Sequence, residues 1–228
     1  MGLNHNEIIS KLAEKSVMKY QVYDNTYKVF EEIKKIFAEL VNETRAELSK
    51  LGKEIPVEHK ERGEFEVEMK AAGDLLLATM HTNIFEFPRA HTVQQSNYVQ
   101  SDKNRSYCGI ISIYNFLADS FKYNRINDVG YLVARIFINK ENHFFVEGKQ
   151  RLGFLYNDFS NNTINPELIR DILETCLLYS IDFDLLVPPY DNVKEVSVQE
   201  MNFITSSISL KTGKRLGFRF EAEKHDVK

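Results

Sequence analysis

The sequence predicts an α+β fold, in which helices pack on a mainly antiparallel β-sheet and a long amphipathic helix lies near the N-terminus. Glu64–Lys70 and Arg215–Glu223 alternate apolar and polar residues, as half-buried strands do. Tyr131–Tyr156 is rich in strand-forming residues on both sides of a four-residue turn, Asn139–Asn142, which is typical of a long hairpin. Residues 25–51 repeat apolar side chains at spacings of three and four, which indicates an amphipathic helix.

Composition and charge set broad limits on the chain. Its 228 residues are 43% hydrophobic and include 16 Phe and 11 Tyr, enough for a sizeable core. We divide it into an N-terminal helical segment, residues 1–52, and an α+β sheet domain, residues 53–228. The net charge of −4 gives no overall electrostatic case for binding nucleic acid. A basic hairpin near the C-terminus leaves a local anion contact open, or balances a nearby acidic region; its cations are Lys211, Lys214, Arg215 and Arg219.

The N-terminal segment is predicted to contain two helices. The first covers His5–Met18, and the second covers residues 25–51, with Asp24 as its cap and Gly52 at the left-handed position after its end. At ~1.5 Å per residue the second helix spans roughly 40 Å, more than most single-domain sheets need to cover them. It therefore either packs on the sheet or pairs with its copy in a homodimer. Its apolar stripe is Phe30, Ile33, Phe37, Leu40, Thr44, Leu48 and Leu51.

The sheet domain is predicted to begin with a polar connection, Lys53–Gly63, before the strand at 64–70. A return strand follows at Leu75–Phe87 and ends at Pro88, which cannot continue a ladder of hydrogen bonds. Gly109–Ile113 suits another strand, whereas Phe116–Phe121 suits either a helix or a bent strand.

The hairpin and the elements after it complete the predicted order. A tight turn places Glu147 opposite Ala134 on the facing strand. Asn165-Pro166 opens a third helix, because a capping residue followed by proline is typical of a helix start. Ser197–Phe203 suits a short helix before the strand at 215–223.

Cys108 and Cys176 lie far apart within apolar runs, so we expect buried, reduced side chains rather than a disulfide. The sequence has no apolar signal core and no run of about 18 apolar residues, the length a membrane helix needs. We therefore expect a cytosolic protein without a membrane partner. Its content of Lys, Asn, Ile and Phe favours a microbial or viral origin.

One triplet carries a candidate catalytic site. Glu147-Gly-Lys149 lies on the second strand of the hairpin, with Asp128 upstream. The triplet resembles the Glu-x-Lys signature of metal-dependent nucleases. The resemblance implies that the two acids bind Mg²⁺ or Mn²⁺, while Lys149 steadies the scissile phosphate or the attacking water. The predicted turn separates Asp128 from Glu147 by roughly 20 Å along the strand, so the pattern favours solvent-facing charges on a strand over a shared metal site. We predict no other metal site or cofactor, because no His or Cys pair has ligand spacing.

Pro88–Tyr107 is the longest polar stretch without periodicity, and a loop of this length without its own structure is often functional. His91, Asp102, Arg105 and Tyr107 supply an imidazole, an acceptor, a guanidinium and an aromatic plane. This set suits a small anionic or nucleotide-like ligand, or a protein partner. The alternative is an ordinary surface loop.

These patterns favour a non-enzymatic binding module that self-associates through residues 25–51 and binds a partner protein or a small ligand. Two alternatives stay open. One is a metal-dependent nuclease that uses the Glu-x-Lys triplet, and the other is a structural subunit of a viral or defence assembly.

Overall fold

The structure is a computed structural model that describes residues 3–149 and 151–207. Its strands are β1 (Val57–Gly63), β2 (Glu66–Ala71), β3 (Asp74–Met80), β4 (Phe85–Glu86), β5 (Tyr107–Leu117), β6 (Tyr131–Asn139) and β7 (Phe144–Gly148). Its α-helices are α1 (Leu3–Lys11), α2 (Val17–Lys50), α3 (Asn97–Ser101), α4 (Ala118–Lys122), α5 (Leu152–Leu155), α6 (Pro166–Ile181) and α7 (Val198–Ser207). Over the described part of the chain the strands form one antiparallel sheet in the order β1–β2–β3–β5–β6–β7, with β4 beside β5. The predicted α+β class is therefore confirmed.

The N-terminal helices form one continuous rod, in which α1 and α2 are joined by a π-helical turn, Leu12–Ser16. The prediction of two separate helices, His5–Met18 and 25–51, is wrong. No glycine or proline interrupts the sequence between them. Val22 is fully buried and shares a cluster with Tyr107, so tertiary packing also holds the intervening turns in the helix.

The apolar face of α2 is buried against one face of the sheet. Phe30, Ile33 and Phe37 are fully buried in the main core, together with Ile111 of β5 and Ile136 of β6. Residues of α6 belong to the same core, so this helix covers the same face of the sheet beside α2. Of the two roles that the sequence predicts for the long helix, packing on the sheet is the one that the structure shows.

The helix comes very close to the sheet at Gly109 of β5. A Cβ atom on this residue would lie 2.0 Å from Oγ1 of Thr26 on α2. Thr26 is fully buried, and its hydroxyl donates to the carbonyl of Val22 at 2.7 Å. The missing side chain at residue 109 therefore sets the depth at which α2 sits on the sheet.

β1 lies where the sequence predicts a polar connection, Lys53–Gly63, so that prediction is wrong. It is the outermost strand of the sheet and pairs with β2. Val57 is its one buried residue, and Glu58–Gly63 is exposed. An edge strand with charged side chains on both faces does not alternate, so periodicity does not reveal it. β2 alternates as predicted, with Val67 and Met69 buried on the helical side.

The predicted return strand, Leu75–Phe87, is divided into two. β3 ends at Met80, and the two-residue β4 pairs with the start of β5. Between them, the ring of His81 accepts the backbone N–H of Asn83 at 3.0 Å, which turns the chain out of the strand. β5 extends from the predicted Gly109–Ile113 segment in both directions.

The hairpin between β6 and β7 has a shorter loop than predicted. The backbone N–H of Asn139 donates to the carbonyl of His143 at 3.0 Å, so these two residues close the loop. Asn142, the last loop residue, has a φ of +61°, in the left-handed region. A three-residue loop ending in a left-handed residue is a common hairpin form.

This loop shifts the register by one residue from the predicted one. Glu147 pairs with Arg135 rather than with Ala134, which pairs with Gly148 instead. The second strand also ends earlier than predicted, because α5 replaces the strand expected to continue to Tyr156.

The polar stretch Pro88–Tyr107 has its own structure, so the prediction of an unstructured loop is wrong. Single 3-10 turns at Thr92–Gln95 and Lys103–Ser106 flank α3. Each of these three pieces begins at a side chain that accepts a backbone N–H: His91, Ser96 and Asp102. Short polar side chains therefore build local structure here without any hydrophobic periodicity.

The C-terminal helices agree with the sequence. Asn165 accepts the backbone N–H of Leu168 at 2.9 Å, and α6 begins at Pro166 as predicted. α7 starts within the predicted Ser197–Phe203 helix and runs four residues further. The predicted strand Arg215–Glu223 and the basic hairpin lie outside the described residues. No helix of the described ranges is both long and apolar enough to cross a membrane.

Cys108 and Cys176 are buried and form no disulfide, which agrees with the prediction of reduced core cysteines. Burial raises the pKa of both thiols, because the thiolate would lose its hydration.

We expect Gly109→Ala to lower the free energy of unfolding by about 1–3 kcal/mol, because the new methyl group overpacks the contact with Thr26. Gly73→Ala is the matched control, since a Cβ at residue 73 meets nothing within 4 Å. Urea unfolding followed by circular dichroism measures both. Equal stability of the two variants would show that the close approach does not limit the packing of α2.

Candidate functional site

Two of the four predicted loop residues meet at the hairpin turn. Asp102 forms an ion pair with Lys140, and Arg105 donates through Nε to both carboxylate oxygens of Glu141 at 3.0 Å. The Arg105 guanidinium also lies over the ring of Tyr98, 4.3 Å from its centroid. The cations and anions in this group are thus paired within the protein.

Asn139 is fully buried and connects the residues around the hairpin turn by hydrogen bonds. Its amide group donates to the Tyr98 hydroxyl at 2.9 Å, and its oxygen accepts the backbone N–H groups of Glu141 and His143. Tyr98 in turn donates to Glu141 at 2.8 Å, and burial raises the pKa of its hydroxyl. We call Tyr98, Asp102, Arg105, Asn139, Lys140 and Glu141 the polar clasp. It fixes the turn and leaves little of its bonding capacity for a ligand.

His91 and Tyr107 have other neighbours. The His91 ring accepts the backbone N–H of Val93 and packs against Phe87, with ring centroids 4.6 Å apart. Tyr107 is buried beneath α2, and its hydroxyl donates to Glu86 at 2.7 Å. Of the four predicted residues, Asp102 and Arg105 therefore belong to the group at the hairpin turn, whereas His91 and Tyr107 do not.

The residues of the nuclease resemblance are also held by different partners. Glu147 accepts the guanidinium of Arg135 across the hairpin, with Nε at 3.0 Å. Asp128 precedes β6 and accepts the hydroxyl of Ser120 at 2.7 Å. Lys149 follows the end of β7. Across residues 3–149 and 151–207, no three His, Cys, Asp or Glu side chains are grouped so that they could hold a metal ion.

A pocket of about 390 Å³ lies on the face of the sheet opposite α2. Leu77 of β3 and Phe116 of β5 form its floor, and Phe121 and Ile126 form its walls. Ile126 is 83% exposed, so the pocket is open to solvent on that side. Ser120, Arg125 and Asp128 form its polar end.

Local turns position this polar end. After α4, Asn124 adopts a left-handed conformation with φ of +48°, which reverses the chain. The backbone N–H of Arg125 then donates to the Ser120 carbonyl at 2.8 Å, and that of Asp128 donates to the Arg125 carbonyl at 2.9 Å. The side chains of Arg125 and Asp128 are consequently drawn inward, and they are only 7% and 6% exposed.

The buried charge of Arg125 is incompletely satisfied. Arg125 Nη1 lies 3.9 Å from Asp128 Oδ2, a long distance for an ion pair. The Nε–H of Arg125 is buried and has no hydrogen-bond acceptor among the described residues. A buried donor without a partner costs about 1–3 kcal/mol, and more when the group is charged. An acceptor brought by a ligand would remove this cost.

Sequence reasoning singled out Asp128 for a different role and missed Arg125. Residues 122–128 are mostly polar and carry no periodicity, so the sequence indicates a solvated loop there. The burial of Arg125 depends on the left-handed turn at Asn124. Asparagine is enriched in this conformation, so Asn124 is the local sequence signal that could have suggested a chain reversal before Arg125.

Comparisons with known proteins found no matching family model, no matching curated protein and no matching solved structure.

We expect the ion pair of the polar clasp to be lost in acid. The hydrogen bond from Lys140 lowers the pKa of Asp102. The pair therefore contributes stability above the ordinary Asp pKa of about 3.9, and this contribution disappears as the pH falls through the lower folded value. Asp102→Asn keeps the turn cap but removes the charge. It should lower the free energy of unfolding by about 0.2–1 kcal/mol near neutral pH, and by less at about pH 2.

The control for this prediction is Asp184→Asn, at an exposed position. It should leave the free energy of unfolding unchanged at both pH values, as measured by urea titration. A cost of Asp102→Asn that is the same in acid and at neutral pH would contradict the role of the ion pair.

Proposed function

We propose that this protein is a non-enzymatic binding module whose pocket takes a small molecule with a flat apolar ring and a carboxylate or carbonyl oxygen. The observation that carries this proposal is that Arg125 lines the end of the pocket and its buried Nε–H has no acceptor. A ligand oxygen that reaches Nε–H, after a small shift of the surrounding side chains, accepts a charge-assisted hydrogen bond, and such bonds are among the stronger ones in proteins.

The size and lining of the pocket support the ring. Small-molecule sites have volumes of about 300–1,000 Å³, with mostly apolar walls and a few polar groups that fix orientation. The pocket of about 390 Å³ is near the lower end of this range. The rings of Phe116 and Phe121 lie edge to face, with centroids 5.1 Å apart, and offer an aromatic surface to a third ring.

The charges at the polar end limit the ligand further. The carboxylate of Asp128 lies 3.9 Å from Arg125 Nη1 and would repel a group with two negative charges. A single carboxylate or a neutral carbonyl therefore suits the site better than a phosphate. This proposal favours the small-ligand form of the predicted binding module. In the described lining of the pocket the Ser120 hydroxyl donates to Asp128, and no histidine lies there. A carboxylate is a much weaker base than the histidine that commonly activates a serine nucleophile.

We expect benzoate and benzamide to bind the protein, and acetate, which has no ring, to bind much more weakly. Isothermal titration calorimetry measures the three affinities. Arg125→Lys keeps the positive charge but removes Nε–H, and should weaken benzoate binding at least tenfold, since a hydrogen bond to a charged group contributes about 1.5–3 kcal/mol. Arg89→Lys, at an exposed arginine, is the matched control and should bind like the wild type.

Ile126→Ala tests the apolar wall without touching the ion pair. It should weaken benzoate binding by a smaller factor, and substitution of such an exposed residue changes the free energy of unfolding little. Circular dichroism confirms that each variant is folded. Equal affinity of the wild type and Arg125→Lys, or no binding of either ring compound, would overturn the proposal.

A further inference from the structure

The N-terminal end of the helical rod extends beyond the sheet. All residues from Asn4 to Val17 are exposed, whereas Met18 is the first buried residue. Ile8, Ile9 and Leu12 are each more than half exposed. An isolated helix of fewer than about 12–15 residues is marginally stable in water. This overhang therefore gains stability from any surface that covers its aliphatic side chains.

The charged residues of the overhang are separated from the aliphatic ones. Glu7, Lys11 and Glu14 follow one another at helical spacing, and Glu7 and Lys11 form an ion pair at 2.6 Å. The ammonium of Lys15 lies over the ring of Tyr107, 5.3 Å from its centroid. The aliphatic residues repeat at the same spacing on the other side. One face of the overhang is thus free of charge.

A groove of about 600 Å³ lies further along the same rod, between the first turns of α2 and the chain after β3. Its helical side is lined by Ser16, Lys19, Tyr20 and Tyr23, and the other side by Thr82, Asn83 and Ile84. Tyr20 is 74% exposed, and the centroids of the Tyr20 and Tyr23 rings are 6.5 Å apart. The groove offers aromatic walls of the kind that hold aliphatic side chains.

The aliphatic face and the groove lie in one line along the rod. Within the π-helical turn a residue meets the one four or five positions later, so Leu12 is followed on its face by Ser16. Ser16 is in turn followed by Tyr20 and Tyr23, which line the groove with it. The rod therefore carries uncovered aliphatic side chains on one side of the π-helical turn and an unfilled groove on the other.

We propose that the groove of each chain is filled by the overhang of a second copy, in a two-fold symmetric dimer of antiparallel helices. A two-fold axis near residue 14 places Ile8 opposite Tyr20 of the partner, and Leu12 opposite Ser16. Ser16 is small and leaves room for the leucine. Because the axis repeats every contact, a single match between face and groove provides both halves of the interface.

The dimer uses a different part of the rod from the one that the sequence predicts. The apolar stripe between Phe30 and Leu40 is buried on the sheet. The exposed aliphatic side chains and the groove that form the proposed interface lie between Ile8 and Tyr23. With both grooves filled, the contact buries on the order of 1,000 Å² in total, at the low end of specific interfaces, so we expect a dissociation constant in the micromolar range.

Sedimentation velocity at increasing protein concentration tests the dimer. Leu12→Lys puts a second positive charge beside Lys19 in the groove of the partner and should leave the protein monomeric at concentrations where the wild type is dimeric. Leu178→Lys, on the exposed side of α6 at 61% exposure, is the matched control and should dimerise like the wild type. A monomeric wild type at about 100 μM, far above the expected dissociation constant, or a dimeric Leu12→Lys, would overturn the proposal.

Cross-linking tests the antiparallel arrangement separately. A mixture of Leu12→Cys and Ser16→Cys chains should form a disulfide-linked heterodimer under mild oxidation, because these positions face each other across the axis. The native cysteines are buried and do not interfere. Faster cross-linking of Leu12→Cys chains to one another would indicate parallel helices and would contradict the proposed arrangement.

Discussion

The packing of α2 on one face of the sheet is the contact on which the rest of the structure depends. Thr26 and Gly109 set the distance between helix and sheet, and the residues from Val22 to Val41 fill the space along the contact. α6 packs beside α2 on that face. The opposite face of the sheet is covered by shorter segments: α4 lies at one end, and α3 with its flanking turns lies at the far end. The Arg125 pocket and the polar clasp both belong to these shorter segments, so α2 supports them indirectly by fixing the sheet.

The arginine of the polar clasp and the arginine of the pocket differ in how fully their hydrogen-bonding groups are paired. Arg105 has a carboxylate, a carbonyl, a hydroxyl and an aromatic ring as partners, so its bonding capacity is used within the clasp. Arg125 is more buried, but its carboxylate is distant and its Nε–H has no acceptor. The first arrangement stabilises a turn, and the second leaves an energetic cost that a ligand can remove. This difference, rather than the presence of charge, separates a structural cluster from a candidate binding site.

The sequence predicts those parts of the fold whose hydrophobic pattern arises from burial on a single face. The alternation of Val67 and Met69 and the spacing of Phe30 and Phe37 are of this kind, and Asn165 marks a helix start by its own chemistry. β1 escapes prediction because an edge strand buries almost nothing. The predicted hairpin register differs from the observed one by one residue, because the sequence does not reveal that the loop has three residues. The left-handed residue that closes this loop is Asn142, and asparagine is common in turns of many lengths. The binding pocket depends on side chains that are distant in sequence and converge only in the folded chain.

The charged outer strand has a consequence for how copies of this chain meet. Lys34 and Lys70 pair with Glu61 and Glu58 of β1, so both carboxylates of this strand have a cation from the same molecule as partner. A strand from another chain would have to desolvate these pairs in order to extend the sheet. The addition of strands from further chains to the edge of the sheet is therefore disfavoured at β1. Contacts between helices carry no such penalty, and a closed pair formed through them leaves no free end for polymerisation.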